Sequence, residues 1–310
     1  MQIYEGISSF RPLRKPIVTS GTFDGVHKGH QKILRSIREQ ADAVGGETVL
    51  ITYWPHPRLV LYPDDHQLRL LSTFEEKAAL LAKNGIDHLL TIPFTREFAQ
   101  LSPEAYVQRI LIDTIGTHKL VIGYDHRFGK DRAGSFAYLR ENEARFGFAL
   151  EEITREDIED IGISSTKIRQ ALLRGDVQTA HDYLGAPYEL NGIIIKGQQV
   201  GRSIGFPTAN VHLPHDYKLV PGEGAYAVRI EVEGTEYDGM LNIGRRPTVN
   251  GINRSIEVNL FNFTGDLYDR RVRVRLLAFL REERKFDGLE ALKEQLEKDR
   301  KHAKQLLERK

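Results

Sequence analysis

The first 185 residues alternate short apolar runs with longer segments in which apolar residues recur every three or four positions. A short apolar, β-branched run is typical of a buried strand, and the longer period is that of an amphipathic helix. Strands are predicted at 17–20, 48–53, 88–92 and 119–123, and helices at 28–41, 73–83, 103–111, 165–174 and a short segment ending at 183. The alternation predicts an α/β fold with a doubly wound parallel sheet. The acidic segment 151–160 is predicted to be a solvated surface stretch.

The pattern changes after Gly185, where Ala-Pro follows the last predicted helix. Beyond it, short β-branched runs separated by Gly, Pro and Asn predict an antiparallel β-barrel, with strands at 192–196, 225–232, 254–261 and 271–280. Leucines at near-helical spacing predict a terminal helix over 289–307 that packs on the barrel. We therefore predict two domains, residues 1–185 and residues 186–310.

Composition and charge narrow the classes of protein that fit this pattern. Hydrophobic residues make up 40% of the 310 positions and charged residues 28%, as in ordinary globular chains. The formal net charge of +1 argues against a protein whose main task is to grip nucleic acid or an anionic membrane. The lack of cysteine excludes disulfides and thiolate metal sites. Neither a long apolar span nor a signal-peptide pattern is found, so a cytoplasmic location is expected.

Candidate chemistry in the first half begins at the turn that runs from Ser20 through Gly-Thr-Phe-Asp-Gly-Val-His-Lys-Gly to His30. Glycines beside a helix start expose backbone N–H groups, and the helix dipole adds partial positive charge, which together suit a phosphate. His27 and His30 could direct imidazole donors at charge developing on that phosphate. Two alternatives remain open: a zinc site, for which the histidines need a third ligand, and a plain helix-capping turn.

A second cluster, Ile163-Ser-Ser-Thr-Lys-Ile-Arg169, opens a later predicted helix. Hydroxyls at a helix cap are ordinary, but cations in the first turns are disfavoured by the helix dipole unless an anion is bound. The alternative is a serine-capped surface helix. Because the first cluster also suits phosphate, we interpret Ser165, Thr166 and Arg169 as part of a phosphate site.

The second half carries its candidate motif between Gly197 and Asn210, where glycines at 197, 201 and 205 precede Phe-Pro-Thr-Ala-Asn. Its start is superficially like a P-loop but lacks the Gly-Lys-Ser/Thr that such a loop requires. On this segment alone, a β-hairpin with a flexible connection is the alternative. Strand alternation alone would likewise make Glu257 an outward-facing strand residue.

Taken together, the two clusters of the first half resemble the HxGH nucleotidyltransferase superfamily, in its FMN adenylyltransferase branch. The resemblance implies catalytic roles for His27, His30 and Arg169. The residues that it assigns to ATP and phosphate binding are Gly21, Phe23, Asp24, Gly25, Ser165 and Thr166.

Two further segments match the same branch, in which they line the flavin and adenine pockets. They are Trp54-Pro-His-Pro57 and the run from Gly123 to Gly129. The match implies that His56 and Asp125 take part in flavin binding. His126 stands where the branch has phenylalanine, which changes a stacking contact and leaves Asp125 in place.

The whole segment 197–210 resembles the GxxxGxxxGFPTAN signature of bacterial riboflavin kinases, a family of six-stranded barrels. The resemblance implies that Thr208 and Asn210 hold Mg²⁺ with the ATP phosphates, and that Glu257 accepts the proton of the ribityl 5′-hydroxyl. It assigns phosphate binding to Gly197, Gly201 and Gly205, and flavin binding to Phe206 and Pro207. The family's later segments follow in order, with Asn259 where histidine is common.

These resemblances cover nearly the whole chain and imply a bifunctional flavin enzyme. The second domain would convert riboflavin and ATP to FMN and ADP, and the first would convert FMN and ATP to FAD and pyrophosphate. One alternative is a riboflavin kinase with a non-catalytic flavin-binding first domain, and another is a flavin carrier without ATP turnover. The expected partners are small molecules, with no nucleic acid and no membrane, and the chain is expected to be a monomer or weak oligomer.

Overall fold

A computed structural model describes residues 1–63, 68–154, 162–196, 204–248 and 251–308. The chain forms two compact units, Met1–Ser164 and Ser165–Lys310. This division and the predicted boundary at Gly185 both separate the parallel sheet from the barrel. The two compact units place the helices at 165–184 with the barrel, whereas the predicted boundary places them with the parallel sheet. The boundary at Gly185 stays a prediction.

The first unit is built on a six-stranded parallel sheet in the order β1-β4-β3-β2-β5-β6. Its strands are β1 (Gln2–Glu5), β2 (Ile17–Ser20), β3 (Thr48–Trp54), β4 (His88–Pro93), β5 (Lys119–Gly123) and β6 (Ala149–Ile153). The chain leaves β2 towards β3 on one side and returns to β5 on the other. This is the doubly wound topology, so the predicted fold class is confirmed.

Helices cover both faces of this sheet, and alternate strand residues face them. The helices are α1 (Lys28–Val44), α2 (Pro57–Leu61), α3 (Phe74–Lys83), α4 (Pro103–Tyr106), α5 (Phe136–Glu141) and α6 (Glu143–Phe146). Ile17 of β2 belongs to the hydrophobic cluster that includes α1 and α3. Its neighbour Val18 belongs to the opposite cluster, with Tyr106 and Leu139 from α4 and α5. Both faces of β2 are therefore buried, and its polar residues Thr19 and Ser20 are buried along with Ile17 and Val18.

The structure departs from the sequence-based prediction at three places in the first unit. β1 and β6, at the two edges of the sheet, were not predicted. Residues 151–153 belong to β6 rather than to a solvated stretch, and Glu151 pairs with Lys119 at 2.6 Å; residues 155–161 lie outside the described part. β1 and β6 were not recognised because an edge strand has a solvated side, so its sequence resembles that of a surface segment.

The helix predicted at 103–111 is α-helical to Tyr106 and π-helical over Val107–Thr114.

The second unit contains a closed antiparallel barrel in the order β10-β11-β8-β7-β12-β9. Its strands are β7 (Tyr188–Ile195), β8 (Ala209–His212), β9 (Gly224–Val232), β10 (Thr235–Thr248), β11 (Gly251–Leu260) and β12 (Arg271–Arg281). The predicted barrel is confirmed. β8 and β10 were missed: β8 has the sequence Ala-Asn-Val-His with only Val211 buried, and β10 contains Gly, Asn and Pro, which are rare in strands.

The described part of the second unit also contains the helices α7 (Ser165–Leu173), α8 (Val177–Leu184) and α9 (Leu289–Leu307). The backbone N–H of Gly222 donates to the Leu172 carbonyl at 2.9 Å, so the end of α7 is tied to the segment that precedes β9. Ala303 and Leu307 of α9 pack with Phe206 in a hydrophobic cluster against the barrel. The predicted terminal helix is therefore confirmed, with the predicted bounds.

Candidate active sites

The predicted phosphate turn lies at the switch point of the parallel sheet. The turn follows β2, His56 comes shortly after β3, and Asp125 comes shortly after β5. These three strands are neighbours in the order β3-β2-β5. Because the carboxyl ends of neighbouring parallel strands meet at one edge, the three segments share it. In open α/β sheets the crevice at this edge is the usual ligand site.

The turn after β2 has a strained backbone. Phe23, Gly25 and Val26 have φ angles of 46°, 79° and 41°. Positive φ at the β-branched Val26 is an outlier that costs about 1–3 kcal/mol. Gly21 allows the turn to pack closely, since a Cβ there would lie 3.0 Å from the Phe23 ring. Strain of this kind persists only where the surroundings hold the backbone, and it is common at ligand-binding turns.

Asp24 holds the turn to a neighbouring segment. Its carboxylate accepts hydrogen bonds from the backbone N–H groups of Leu71 at 3.0 Å and Ser72 at 3.1 Å. The Ser72 hydroxyl donates to Asp24 at 3.3 Å and accepts from the Gly25 N–H at 3.1 Å. These bonds indicate a structural role for both turn residues. Their predicted contact with phosphate stays a prediction.

His27 and His30 form a stacked pair at the start of α1, with ring centroids 3.6 Å apart and planes 18° apart. Nδ1 of His27 accepts from the His30 backbone N–H at 3.4 Å and so caps the helix. Burial holds the pKa of His30 well below its usual 6.5, and His27 and Lys77 lower this pKa further. Nδ1 of His30 is buried and has no hydrogen-bond partner in the described part of the chain. His30 is therefore a neutral imidazole, and a buried polar atom of this kind calls for a partner.

The zinc alternative finds no support among the described residues. No group of three or more His, Asp or Glu side chains converges there in a way that could hold a metal ion. The two histidines instead stack on each other, which turns their ring faces together.

Lys77 of α3 is a candidate that the sequence analysis missed. It is only 6% exposed, and its Nζ donates to the Thr52 hydroxyl at 3.0 Å and the Thr22 carbonyl at 3.3 Å. Burial lowers its pKa from 10.5 to about 8, while the neighbouring Asp24 acts in the opposite direction. A signal was available, because Lys77 lies three residues after Phe74 and four before the buried Leu81, which is the spacing of the apolar side of α3.

The predicted flavin residues of the first unit lie in its loops. His56 caps α2, and its Nδ1 accepts a backbone N–H at 3.2 Å; Asp125 is exposed. The His126 ring stacks on Phe128, with centroids 5.8 Å apart. Burial, together with two neighbouring arginines, lowers the pKa of His126 to about 4. At neutral pH His126 is an uncharged aromatic ring, as a phenylalanine would be.

Ser165, Thr166 and Arg169 lie in the first turns of α7, in the second unit. Ser165 and Arg169 are half-buried and Thr166 is exposed. The helix begins at the predicted residue, so the hydroxyls do stand at its N-terminus. Their role in phosphate binding stays a prediction.

The second unit contains a cavity of about 310 Å³. Its lining divides into two chemical types. The apolar and aromatic part includes Ile204, Phe206, Met240, Phe286, Leu292 and Leu296. The polar part includes Thr208, Asn242, Glu257, Asn259 and Glu283. The cavity therefore suits a ligand with one flat apolar part and one part rich in hydroxyls.

Glu257 and Thr208 meet at this cavity. The Thr208 hydroxyl donates to the Glu257 carboxylate at 3.2 Å. Asn210 of β8 and Asn242 of β10 are both register partners of Glu257 on β11. Directly paired residues of an antiparallel ladder share one face of the sheet, so the carboxylate and both amides lie on the same side. The neighbours Ile256 and Val258 are buried on the opposite face of β11, so Glu257 does point away from them, as the alternative expects, but it lines the cavity.

The other predicted residues of this site differ in their surroundings. Phe206 lines the cavity but is 3% exposed and packs in the core of the unit. Pro207 is exposed, and its carbonyl accepts from the Asn259 side chain at 2.7 Å. Gly205 has a φ of 82°, which favours glycine. Gly197 and Gly201 lie outside the described residues.

Two features of the cavity wall were not predicted. Burial raises the pKa of Glu283, although Asn242 donates a hydrogen bond to it. Arg281 at the end of β12 pairs with Asp299 of α9, with Nε and Nη2 at 2.9 and 2.8 Å from Oδ2. Asp299 is 4% exposed on the inner face of α9, and a buried acid among apolar helix positions is the signal that could have revealed it.

Comparison with known proteins matches both halves of the chain. Residues 10–167 match the family model described as FAD synthetase, and residues 184–307 match the one described as riboflavin kinase. A bifunctional riboflavin kinase/FMN adenylyltransferase of Pseudomonas fluorescens is 38% identical over 301 residues, which is 96% of this chain and 96% of the relative. The chain belongs to the bifunctional riboflavin kinase/FMN adenylyltransferase family.

A relative of the same name from Bacillus subtilis (strain 168) is 38% identical over 294 residues, covering 93% of this chain and 92% of the relative. Among solved structures, one described as a macrolide-efflux protein from Streptococcus pneumoniae has a TM-score of 0.89 and 30% identity, covering 97% of this chain and 98% of that one. From it we take only the shared fold. Among the residues described here, no helix has the length and apolar character needed to span a membrane.

Proposed function

We propose that the second unit phosphorylates riboflavin and that the first unit adenylylates the resulting FMN, so that one chain makes FAD in two ATP-dependent steps. The observation that carries this proposal is the contact at 3.2 Å between Thr208 and Glu257 on the wall of the cavity. This contact brings the Glu257 carboxylate next to the Thr208 hydroxyl, which belongs to the motif that is expected to bind ATP. A carboxylate in that position can take the proton of an alcohol that attacks a phosphate.

The cavity supports riboflavin as the substrate of the second unit. Its volume of about 310 Å³ lies at the lower end of ligand pockets. The isoalloxazine ring is flat and largely apolar, and it matches the side lined by Phe206 and Met240. The ribityl chain carries hydroxyls, and it matches the side lined by Asn242, Glu257 and Glu283. The 5′-hydroxyl would then reach the end at Glu257.

The kinase step needs a base because its nucleophile is an alcohol. Water has a pKa of about 15.7, and a primary alcohol is similarly un-ionised at pH 7. Glu257 accepts the hydroxyl proton while the 5′-oxygen bonds to the γ-phosphorus of ATP and the bond from that phosphorus to ADP breaks. The hydrogen bond from Thr208 orients the carboxylate for this transfer.

Thr208 and Asn210 are suitable residues to hold a magnesium ion. Hydroxyl and amide oxygens are the hard ligands that Mg²⁺ accepts, usually alongside substrate phosphates and water. When bound, Mg²⁺ would neutralise charge on the ATP phosphates. Thr208 also contacts Glu257, so the pair would hold the phosphate end of ATP beside the base.

The adenylyl step needs no base, since the FMN phosphate has a second pKa near 6 and is mostly ionised at neutral pH. A phosphate oxygen bonds to the α-phosphorus of ATP, and the bond from that phosphorus to pyrophosphate breaks. The first unit offers the N-terminus of α1 and the imidazoles of His27 and His30 to the negative charge. The unsatisfied Nδ1 of His30 supports this role.

The alternative of a kinase without adenylyl transfer depends on His126. The stacked, uncharged ring beside Phe128 keeps the aromatic surface that a phenylalanine would provide. This observation favours an active adenylyltransferase in the first unit.

We also propose that the protein is located in the cytoplasm, that it is a monomer or a weak oligomer, and that its domain boundary lies at Gly185.

A single assay tests the proposed function. The purified protein is incubated with riboflavin, ATP and Mg²⁺, and the flavins are separated by chromatography. We expect FMN to form first and FAD to follow. FMN without FAD would support the kinase-only alternative, and tight flavin binding without ATP turnover would support a carrier.

A further inference from the structure

We propose that Lys77 is a positioning residue of the adenylyltransferase site: its buried ammonium fixes the Thr22–Val26 turn and supplies positive charge beside the neutral His30. This inference rests on the assignment of adenylyl transfer to the first unit. Lys77 is separate from the turn and from α1 in sequence, and it reaches them from α3.

The contacts of Lys77 connect two strand ends. Its Nζ donates to the carbonyl of Thr22, which follows β2, and to the hydroxyl of Thr52, which lies within β3. The ammonium also lies 5.9 Å from the ring centroid of Trp54 and 5.8 Å from that of Phe74. These aromatic contacts favour a cation. The side chain thus ties the start of the strained turn to the neighbouring strand.

This arrangement is costly for the fold alone. A side chain that is 6% exposed has lost most of its hydration, and hydrogen bonds to a neutral carbonyl and a neutral hydroxyl do not restore it fully. Leucine or methionine at this position of α3 would fill the same apolar surroundings without that cost. Departures of this kind from the simplest local choice are expected at functional sites.

The charged and titratable groups around Lys77 determine its electrostatic contribution to the site. The titratable groups that face it within the described residues are Asp24 from the turn and His30 from α1, whereas β3 presents Thr52 and Trp54. The Asp24 carboxylate is engaged by backbone N–H groups, and His30 is neutral. The ammonium therefore adds to the positive end of the α1 dipole at the place where phosphates are expected.

The first test is Lys77→Met, which keeps the length of the side chain and removes its charge. We expect FAD formation from supplied FMN at pH 7 to fall by about 10- to 100-fold, somewhat less than the loss of a direct donor. Thermal stability should change little, because the ammonium no longer has to be desolvated but the Thr22 carbonyl and the Thr52 hydroxyl lose its hydrogen bonds. Riboflavin phosphorylation in the same sample should be unchanged. Lys83→Met is the matched control, since Lys83 is exposed on the same helix, and it should leave both rates unchanged.

The pH dependence of the adenylyl transfer rate distinguishes an effect of the Lys77 charge from an effect of its packing. Because the pKa of Lys77 is lowered to about 8, the wild-type protein should lose adenylyl transfer as pH rises through that value. Lys77→Met should lack this alkaline limb, so the ratio of wild-type to variant rates should fall towards one at high pH. Lys77→Arg keeps its charge at high pH, so it should retain activity without the limb.

Several outcomes would overturn the proposal. These are an unchanged rate in Lys77→Met, or a ratio to wild type that is the same at every pH. If Lys77→Met does not fold, a wild-type profile that stays flat above pH 8 refutes the proposal by itself. A wild-type protein that forms no FAD at any pH would instead refute the assignment of the first unit, and the inference with it.

Discussion

Replacement of Glu257 by glutamine should separate the two reactions within one chain. Glutamine keeps the side-chain volume and an oxygen that can accept the Thr208 hydroxyl, which now donates to Glu257 at 3.2 Å. The binding of flavin and ATP should therefore change little. An amide cannot accept the proton of the 5′-hydroxyl at neutral pH. Loss of a general base costs about 10²–10⁴ in rate, which corresponds to about 2.7–5.4 kcal/mol in the activation free energy.

The assay measures two initial rates on the same preparation: FMN from riboflavin, and FAD from supplied FMN. Glu257→Gln should reduce only the first rate. The matched variant is His30→Ala, which removes an imidazole donor from the start of α1. It should reduce only the second rate, by about 10²–10³, as expected for loss of one donor to developing charge.

The outcome of this crossed comparison can contradict the two-site assignment directly. If Glu257→Gln reduced FAD formation from supplied FMN as strongly as FMN formation, one site would be serving both reactions. If it left FMN formation within about tenfold of wild type, Glu257 would not be the general base. Circular dichroism of each variant shows whether the fold is intact before either conclusion is drawn.

Three further predictions concern stability and domain structure. Asp24→Asn places an NH₂ group against the N–H donors of the 71–72 segment. We therefore expect a loss of about 2–3 kcal/mol in the unfolding free energy of the first unit, together with slower adenylyl transfer. An unchanged melting temperature would contradict this expectation. Asp299→Ala leaves Arg281 without its partner at a site where that arginine is 18% exposed, so urea denaturation should show a loss of about 3 kcal/mol, and an unchanged midpoint would refute it. A fragment of residues 165–310 should phosphorylate riboflavin. It should also melt at a higher temperature than a fragment of residues 186–310, because the Gly222 N–H donates a hydrogen bond to α7. Equal melting temperatures would show that α7 and α8 contribute nothing to the stability of the barrel.

The sequence alone was sufficient wherever structure depends on neighbours along the chain. β2 was predicted with its observed bounds, since the β-branched residues Ile17, Val18 and Thr19 favour a strand and both its faces are buried. The terminal helix α9 was also predicted with its observed bounds, since one stripe of apolar residues faces the barrel. The turn after β2 and the segment around Thr208 were singled out as candidate sites because their motifs are short and lie within one stretch of sequence.

Only the tertiary structure decided which distant residues act on those motifs. Asp24 bonds to Leu71, 47 residues away, and that contact exists because the turn after β2 meets a segment that precedes α3. Lys77 reaches the same turn only because β2 and β3 are neighbours in the sheet. The contact between Thr208 and Glu257 spans 49 residues and depends on the order of strands in the barrel. Local periodicity reports which side of an element is buried, but partner choice is set by sheet order and register, which no stretch of sequence contains by itself.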